Sequence, residues 1–213
     1  MKKEPFYGYT PKQTQAWVDK APETPPKEFQ GVAQATSLDD EQLSQIDKEY
    51  LLRAIKLASH NPMQAFENKS PDGGLFGAAL YKDGKILGEG WNTVLKEGDP
   101  TRHAEMNAIR QATHDNGYGL KDLAGATLYT SGAPCPMCYA AMAWADIKHI
   151  VYASDYTEAL QYGGFKDESI NASLALSLQE RELSGTQVDS KLAHQWWEFY
   201  NWLVYKDGKG SKY

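Results

Sequence analysis

The sequence predicts an α/β domain in which strands and helices alternate along the middle of the chain. A chain of 213 residues is long enough to bury a substantial core, and 41% of its residues are hydrophobic. Short apolar runs of strand character alternate with helical patterns between residues 76 and 153. Connections of this length between strands imply crossover units packed against a sheet. No apolar run approaches the roughly 20 residues that a membrane-spanning helix needs.

The first 36 residues are predicted to be an extension, and residues 37–213 to be one domain with a helical C-terminal region. The extension is polar and rich in proline, and the run Ala21–Lys27 cannot form a helix. The first helix is expected to begin near Ser37–Asp40, where a capping residue precedes two acids, and to end at Asn61-Pro62. Four of its residues share an apolar face: Leu51, Ala54, Ile55 and Ala58.

A β-hairpin is predicted around Asp83-Gly84, because two short apolar runs, Phe76–Tyr81 and Ile86–Trp91, flank this turn sequence. The hairpin is followed by two helices and two strands in alternation. They are expected at 104–112 (helix), 126–130 (strand), 136–144 (helix) and 149–153 (strand).

The residues after 153 are predicted to be mostly helical. The last helix places four apolar residues on one face, which is expected to pack on the body of the domain. The aromatic cluster within 196–202 is expected to serve packing or a dimer surface. The shared face consists of Leu192, Trp196, Phe199 and Leu203.

Charge and cysteine content restrict the class of partner. The chain has 22 basic and 28 acidic residues, a net charge of −6. A protein that grips long nucleic acid by its phosphates usually has a basic excess, so a small substrate is favoured. Cys135 and Cys138 are too few for a disulfide framework, which predicts a reducing cytoplasm and a different role for the pair.

A metal site is predicted from His103, Cys135 and Cys138. His103 opens one helix and the cysteines open the next, and a helix N-terminus makes a thiol easier to deprotonate. The two helices follow strands whose ends should lie side by side, which brings the imidazole to the sulfurs. Two thiolates and one imidazole suit zinc. Alone, the cysteine pair is also typical of a redox pair or of a structural zinc site.

The number of ligands favours a catalytic zinc site. Structural zinc takes four protein ligands, whereas catalytic zinc takes three and a water whose pKa falls to about 7. No other cysteine exists, and no other histidine stands at ligand spacing from the pair. Glu105, two residues from His103, is predicted to move the protons of that water. Without the cysteines it would be an ordinary solvated acid in a first helical turn.

The pattern H-x-E followed by P-C-x-x-C is a known signature of zinc deaminases. The sequence resembles the cytidine and deoxycytidylate deaminase superfamily, above all its branch of bacterial guanine deaminases and tRNA adenosine deaminases. The resemblance covers about residues 48–170 and implies a three-layer α/β/α fold with a central mixed sheet, one zinc ion per chain and a homodimer. The matching stretches are Phe76–Ala78, Gly90–Asn92, His103–Ile109, Leu128–Thr130, Pro134–Cys138 and Gly163–Asp167.

The resemblance implies a role for each matching residue of the site. Zinc binding and proton transfer are implied for His103, Cys135, Cys138 and Glu105. Contacts with the base are implied for Asn92, Phe76, the backbone around Ala104, and Asp167. Taken singly, Asn92 is also typical of a turn, Phe76 of a core and Asp167 of an exposed loop. Ala133 stands where most of this branch has glutamate, which weakens any specificity inferred from relatives.

We therefore expect a zinc-dependent hydrolase that converts guanine to xanthine and ammonia. The choice of guanine depends on Gly163–Asp167 and on the acidic net charge. The nearest alternative is deamination of adenosine to inosine in a tRNA anticodon, which would favour a basic surface beside the site. The third possible function is that of a zinc-stabilised binding module without turnover. The expected partners are a small nucleobase and a second copy of the chain, with no nucleic acid and no membrane.

Overall fold

The computed structural model describes residues 38, 40–68, 70–186 and 191–205. The predicted extension over residues 1–36 lies outside these ranges, and the proposed domain boundaries stay a prediction. The chain divides into two compact units, the first ending at Ile170 and the second beginning at Asn171. Within the described ranges, none of the helices has the length and apolar character needed to cross a membrane.

A four-stranded mixed sheet forms the centre of the first unit, in the order β2-β1-β3-β4. Strand β1 is antiparallel to β2 and β3, whereas β3 and β4 are parallel. Asp83 and Gly84 have φ angles of 50° and 78°, the left-handed turn geometry that the Asp-Gly pair predicted. The strands are β1 (Gly77–Lys82), β2 (Lys85–Trp91), β3 (Thr127–Gly132) and β4 (His149–Ser154).

Helices make up much of the remaining regular structure of the described residues. Two π-helical turns, Gln111–Asp115 and Ala159–Gly163, continue α4 and α7. The helices are α1 (Gln45–Ala58), α2 (His60–Asn68), α3 (Val94–Glu97), α4 (Ala104–Arg110), α5 (Leu120–Leu123), α6 (Pro136–Trp144), α7 (Tyr156–Glu158), α8 (Asp167–Ser173) and α9 (Lys191–Tyr205).

Alternate strand residues face two different layers of helix. Leu80 and Leu128 pack with residues of α4 and α6, whereas their neighbours Tyr81 and Tyr129 pack with α1. Successive side chains of a strand point to opposite faces of the sheet, so helices cover both faces. The predicted α/β fold with a central mixed sheet and three layers is confirmed.

The predicted limits of the first helix are wrong. Ser44 caps α1, and its hydroxyl accepts a hydrogen bond from a backbone N–H of the first turn. The predicted start at Ser37–Asp40 therefore lies too early. Helix α1 ends at Ala58, and α2 runs through the predicted stop at Pro62, because proline in a first helical turn needs no donor. The predicted apolar face is present, with Leu51, Ala54 and Ala58 buried and Ile55 half-buried.

The second unit matches the sequence prediction only in part. Residues 174–186 form turns and bends, since their backbone hydrogen bonds are isolated turns and not a helical ladder. Helix α9 is present, and its Trp196 and Trp197 side chains are each 71% exposed. The expected packing of this helix on the body of the domain stays a prediction.

Candidate active site

His103, Cys135 and Cys138 come together just beyond the end of β3. His103 Nδ1 lies 3.4 Å from Cys135 Sγ and 3.6 Å from Cys138 Sγ, and the two sulfurs are 3.5 Å apart. His103 and Cys135 are the N-cap residues of α4 and α6, and Cys138 is fully buried in the first turn of α6. Within the part of the chain that the structure describes, this is the one cluster of three or more metal-ligating side chains.

The three donor atoms fit a zinc ion. Zinc–sulfur bonds of about 2.3 Å and zinc–nitrogen bonds of about 2.0 Å in a tetrahedron place donors roughly 3.3 to 3.8 Å apart, as they are here. Pro136 occupies the first position of α6, where its missing N–H is not needed, and leaves both cysteines on one side of the helix. Three protein ligands are the number typical of catalytic zinc.

Hydrogen bonding within the cluster sets the protonation of its members. The hydrogen bond with Cys138 and the one with His103 lower the pKa of Cys135 to about 4, against the effect of burial. The same sulfur–sulfur bond, together with burial, raises the pKa of Cys138. Burial lowers the pKa of His103, but the hydrogen bond and charge of Cys135 outweigh burial and raise it. Metal ligands bind deprotonated, so a cation would displace the protons held here.

Glu105 lies against the metal-ligating cluster and is only 3% exposed. Its Oε2 is 3.4 Å from Cys138 Sγ, and its Oε1 is 3.2 Å from Thr130 Oγ1. Burial raises the pKa of this carboxyl, and the negative charge of Cys135 raises it further. A carboxyl whose pKa has moved towards neutrality can both accept and donate a proton. Glu105 therefore suits proton transfer next to a metal ion.

Thr130 is a site residue to which the sequence analysis assigned no role. It is fully buried near the end of β3, and its Oγ1 lies 3.2 Å from Glu105 Oε1 and 3.1 Å from the carbonyl oxygen of Gly132. A hydroxyl has one proton, so Thr130 donates to ionised Glu105, or accepts from protonated Glu105 and donates to Gly132. The sequence could have pointed to Thr130, because it is a polar residue at the end of a buried strand.

Asn92 is held in one orientation immediately after β2 and is 4% exposed. Its Oδ1 accepts hydrogen bonds from the backbone N–H of Gly74 at 3.2 Å and of Val94 at 3.1 Å. Its own backbone N–H donates to the carbonyl oxygen of Phe76 at 3.0 Å. Because two donors face the amide oxygen, the amide nitrogen faces the other way. Asn92 thus has N–H donors to offer a ligand.

Phe76 lies in aromatic and apolar surroundings. Its ring meets that of Phe165 edge to face, with ring centroids 4.8 Å apart. Gly132 permits the close approach of Phe76, since a Cβ at this glycine would lie 3.0 Å from the ring. Both rings border an apolar cavity of about 650 Å³. Such a ring suits packing against the face of a flat base.

Ala104 directly follows His103, and Asp167 comes after the cysteines in the chain. Ala104 is fully buried as the first residue of α4, where helical N–H groups lack a partner in their own helix. Asp167 is half-buried as the first residue of α8. Burial raises its pKa, the charge of Cys135 raises it further, and His103 lowers it. The Asp167 carboxyl is therefore within electrostatic reach of the cluster.

Backbone contacts hold the segment between β3 and α6. The Ala133 N–H donates to the carbonyl oxygen of Ser154 at 2.7 Å. The Tyr156 hydroxyl donates to the carbonyl oxygen of Pro134 at 2.6 Å. The segment that leads into Cys135 is therefore held through its backbone, without a polar side chain at position 133.

A mixed sheet with an H-x-E helix and a P-C-x-x-C helix opening side by side defines the class of zinc-dependent deaminases. Residues 44–154 match the family model described as the cytidine and deoxycytidylate deaminase zinc-binding region, and the chain belongs to this family of zinc-dependent hydrolytic enzymes. This confirms the resemblance and zinc as the cofactor.

Relatives include enzymes with two different substrates. The chain is 41% identical over 140 residues to the guanine deaminase of Bacillus subtilis (strain 168), which covers 65% of this chain and 83% of that protein. It is 39% identical over 107 residues to the tRNA-specific adenosine deaminase of Haemophilus influenzae, covering 47% of this chain and 60% of that protein. The X-ray structure of guanine deaminase from Bacillus subtilis matches 71% of this chain and 91% of that chain, with a TM-score of 0.62 and 37% identity.

Proposed function

We propose that the protein catalyses the hydrolytic deamination of guanine, in which guanine and water give xanthine and ammonia. The observation that carries this proposal is buried Glu105 beside three donor atoms that fit zinc. The similarity to a guanine deaminase over 83% of that protein supports guanine as the substrate. A net charge of −6 also favours a small base over a polyanion.

His103, Cys135 and Cys138 would hold the zinc ion, and their separations support this assignment. When bound, zinc supplies the Lewis-acid chemistry that makes a water molecule nucleophilic at neutral pH. Burial of both cysteines excludes bulk solvent and strengthens their interaction with a cation.

Glu105 would carry the protons of the reaction. It accepts a proton from the attacking water, donates it to the ring nitrogen next to the reacting carbon, and later transfers the second water proton to the departing ammonia. Its burial and its raised pKa support both roles. The Thr130 hydroxyl follows each transfer by changing from donor to acceptor.

Four residues would recognise the base: Asn92, Phe76, Ala104 and Asp167. The Asn92 amide donates to an acceptor atom of the purine, and the backbone N–H of Ala104 donates to another. Phe76 packs against the ring. The Asp167 carboxyl accepts from the ring N–H groups of guanine, whereas adenine presents an acceptor at its corresponding ring nitrogen. The match between a carboxylate acceptor and these ring donors supports guanine over adenine.

We also propose a cytoplasmic location and a homodimer. Cys135 and Cys138 are free thiols, which persist in a reducing compartment. The exposed aromatic side chains of α9 offer apolar surface of the kind that a second copy covers.

A second candidate function is deamination of adenosine in a tRNA anticodon. The 39% identity to a tRNA-specific adenosine deaminase favours it. It requires extrusion of the base and basic contacts to the RNA backbone. The acidic net charge therefore favours free guanine over tRNA as the substrate. The remaining alternative, a zinc-stabilised binding module, would release no ammonia from any substrate.

Ammonia release from a panel of substrates separates these functions. Zinc-loaded protein is incubated with guanine, guanosine, adenosine, cytosine, cytidine and a tRNA anticodon stem-loop. Turnover of guanine alone supports the proposal, whereas turnover of the stem-loop alone establishes the second candidate. No release by protein with a full complement of zinc establishes the binding module. The Glu105→Gln variant controls for contaminating deaminases.

A further inference from the structure

Asn61 connects two segments that border the candidate base-binding site. It lies in the first turn of α2 and is 1% exposed. Its Nδ2 donates to the carbonyl oxygen of Gly74 at 2.7 Å and to that of Asn92 at 2.8 Å. Carbonyl oxygens only accept, so both amide hydrogens are used and the orientation of the amide is determined. Asn61 Oδ1 is buried without a partner among the described residues, so the side chain acts through its donors alone.

Asn61, Gly74 and Asn92 form a closed ring of hydrogen bonds. Asn61 donates to both carbonyl oxygens, and the Gly74 N–H donates in turn to Asn92 Oδ1. The backbone oxygen of Asn92 thus accepts a hydrogen bond from α2, and its side-chain oxygen accepts one from the segment between α2 and β1. The Asn92 amide nitrogen remains for a ligand.

The chain before Gly74 passes directly against the Asn92 side chain. A Cβ at Gly73 would lie 2.0 Å from Asn92 Oδ1 and 2.6 Å from the Asn92 carbonyl oxygen. No side chain fits between them, so the amide of Asn92 has no room to rotate on this side. The orientation of Asn92 therefore depends on where residues 73–74 lie. Asn61 holds the carbonyl group of Gly74, while the preceding Asp72 is held by the backbone N–H groups of Leu95 and Lys96.

We propose that Asn61 is a positioning residue that orients Asn92 towards the base, an inference that rests on the proposed role of Asn92 in the deaminase. Without Asn61 the carbonyl groups of Gly74 and Asn92 lose their shared donor, and the Gly74 N–H is left to hold Asn92 Oδ1 without this support. An aspartate would not substitute, because its carboxylate would face two carbonyl oxygens. Loss of Asn61 therefore acts on catalysis through Asn92.

A double-mutant cycle on guanine turnover tests this coupling. Asn61→Ala is expected to lower kcat/KM about tenfold in the native background, but less than about twofold in the Asn92→Ala background. Asn61→Ser, which keeps one donor, is expected to show a smaller loss of kcat/KM. It replaces the alanine variant in the cycle if that variant fails to fold. Equal losses in both backgrounds would overturn the proposal, because they would mean a general effect on the fold.

Asn116→Ala is a control for the loss of an asparagine that donates to a backbone carbonyl oxygen, at an exposed position instead of a buried one. Asn116 Nδ2 likewise donates to a backbone carbonyl oxygen, that of Leu87 near the start of β2 at 2.7 Å, whereas the Asn61 acceptor Asn92 follows the end of this strand. This variant is expected to leave kcat/KM within about twofold of the native value. A tenfold loss here would contradict the proposal, since loss of an amide donor remote from Asn92 would then have the same effect.

Amide hydrogen exchange tests the same link without a substrate. The N–H groups of Gly74 and Val94 donate to Asn92 Oδ1, so both should exchange at least about tenfold faster in Asn61→Ala, with β3 unchanged. Unchanged exchange at both would overturn the proposal, even in a protein that does not act on guanine. Faster exchange in a protein that releases no ammonia from guanine would support the positioning role and contradict only the proposed function.

Discussion

The candidate site has two halves that are built by different means. The metal half (His103, Glu105, Cys135 and Cys138) lies on the first turns of two helices, where short motifs set the spacing. The base half (Asn92 and Phe76) lies at strand ends and depends on hydrogen bonds from residues distant in the chain, such as Asn61, 31 positions before Asn92. We infer that zinc binding in the metal half tolerates changes elsewhere, whereas binding of the base responds to substitutions far from the ligand.

The largest expected effect comes from breaking the metal half at a ligand. Cys138→Ala removes a fully buried sulfur that lies between Glu105 and the other ligands. Zinc content is expected to fall far below that of the native protein, and turnover to below detection, because two ligands no longer define a site. Elemental analysis and ammonia release measure both. A variant with full zinc content would contradict the assignment of Cys138 as a ligand.

Glu105→Gln separates proton transfer from metal binding within the same half. The amide keeps the shape of the side chain but cannot carry a proton between water and base. We expect kcat to fall about 10³-fold at unchanged zinc content, within the range for loss of a general acid–base group. Retained turnover at full zinc content would remove Glu105 from the mechanism.

Asn92→Ala addresses the base half alone. Loss of a hydrogen-bond donor to the base is expected to lower kcat/KM about 30-fold to 100-fold. Zinc content is expected to stay native, because Asn92 contacts no metal ligand. Steady-state kinetics with parallel zinc analysis tests this, and a joint loss of zinc would show that the two halves are not independent.

Thr130→Val changes a residue that contacts Glu105 of the metal half, and its effect on turnover is expected to be smaller. The Thr130 hydroxyl can donate its one proton to ionised Glu105, so we expect its loss to raise the Glu105 pKa. Turnover that requires ionised Glu105 rises with pH through this pKa, and the rising limb should move to higher pH, with kcat reduced about tenfold on that limb. Thr130→Ser keeps the hydroxyl and should restore the native profile. An unshifted profile in the valine variant would exclude this link.

Tyr129 lies outside both halves of the site, so Tyr129→Phe should affect the free energy of unfolding alone. The Tyr129 hydroxyl donates to Asp47 Oδ1 at 2.7 Å on the opposite face of the sheet. Hydrogen bonds from Ser44 and Tyr129 lower the pKa of Asp47 below 3.8. Stability from a lowered carboxyl pKa is present above the unfolded value and is lost as pH falls through the folded value.

The Tyr129→Phe variant is therefore expected to lose about 1 kcal/mol of unfolding free energy at pH 7. The difference from the native protein should shrink below pH 3.8, where Asp47 becomes protonated. Denaturant unfolding at several pH values measures both, with kcat/KM unchanged as the control. A difference that stays constant down to low pH would exclude Asp47 as the partner.

Local signals predicted most of the fold. Asp83-Gly84 adopts the left-handed turn that this pair favours, and α6 begins at Pro136 as predicted. The errors fall where one residue is compatible with two local structures. Pro62 is typical of a helix end, yet it also fits the first turn of a new helix, and only the packing around α2 selects between them.

By itself the sequence determined the class of enzyme and the metal half, because the spacing of H-x-E and C-x-x-C within helical first turns already brings the ligands and the acid together. Only the tertiary structure decided which groups hold Glu105 and Asn92. Thr130 meets Glu105, and Asn61 meets Gly74 and Asn92, across chain segments whose approach depends on the packing of the whole sheet. The partner of a buried amide or hydroxyl cannot be predicted from a local sequence pattern. Hydrogen-bond geometry depends on where the two groups lie in three dimensions and not on their separation in the chain.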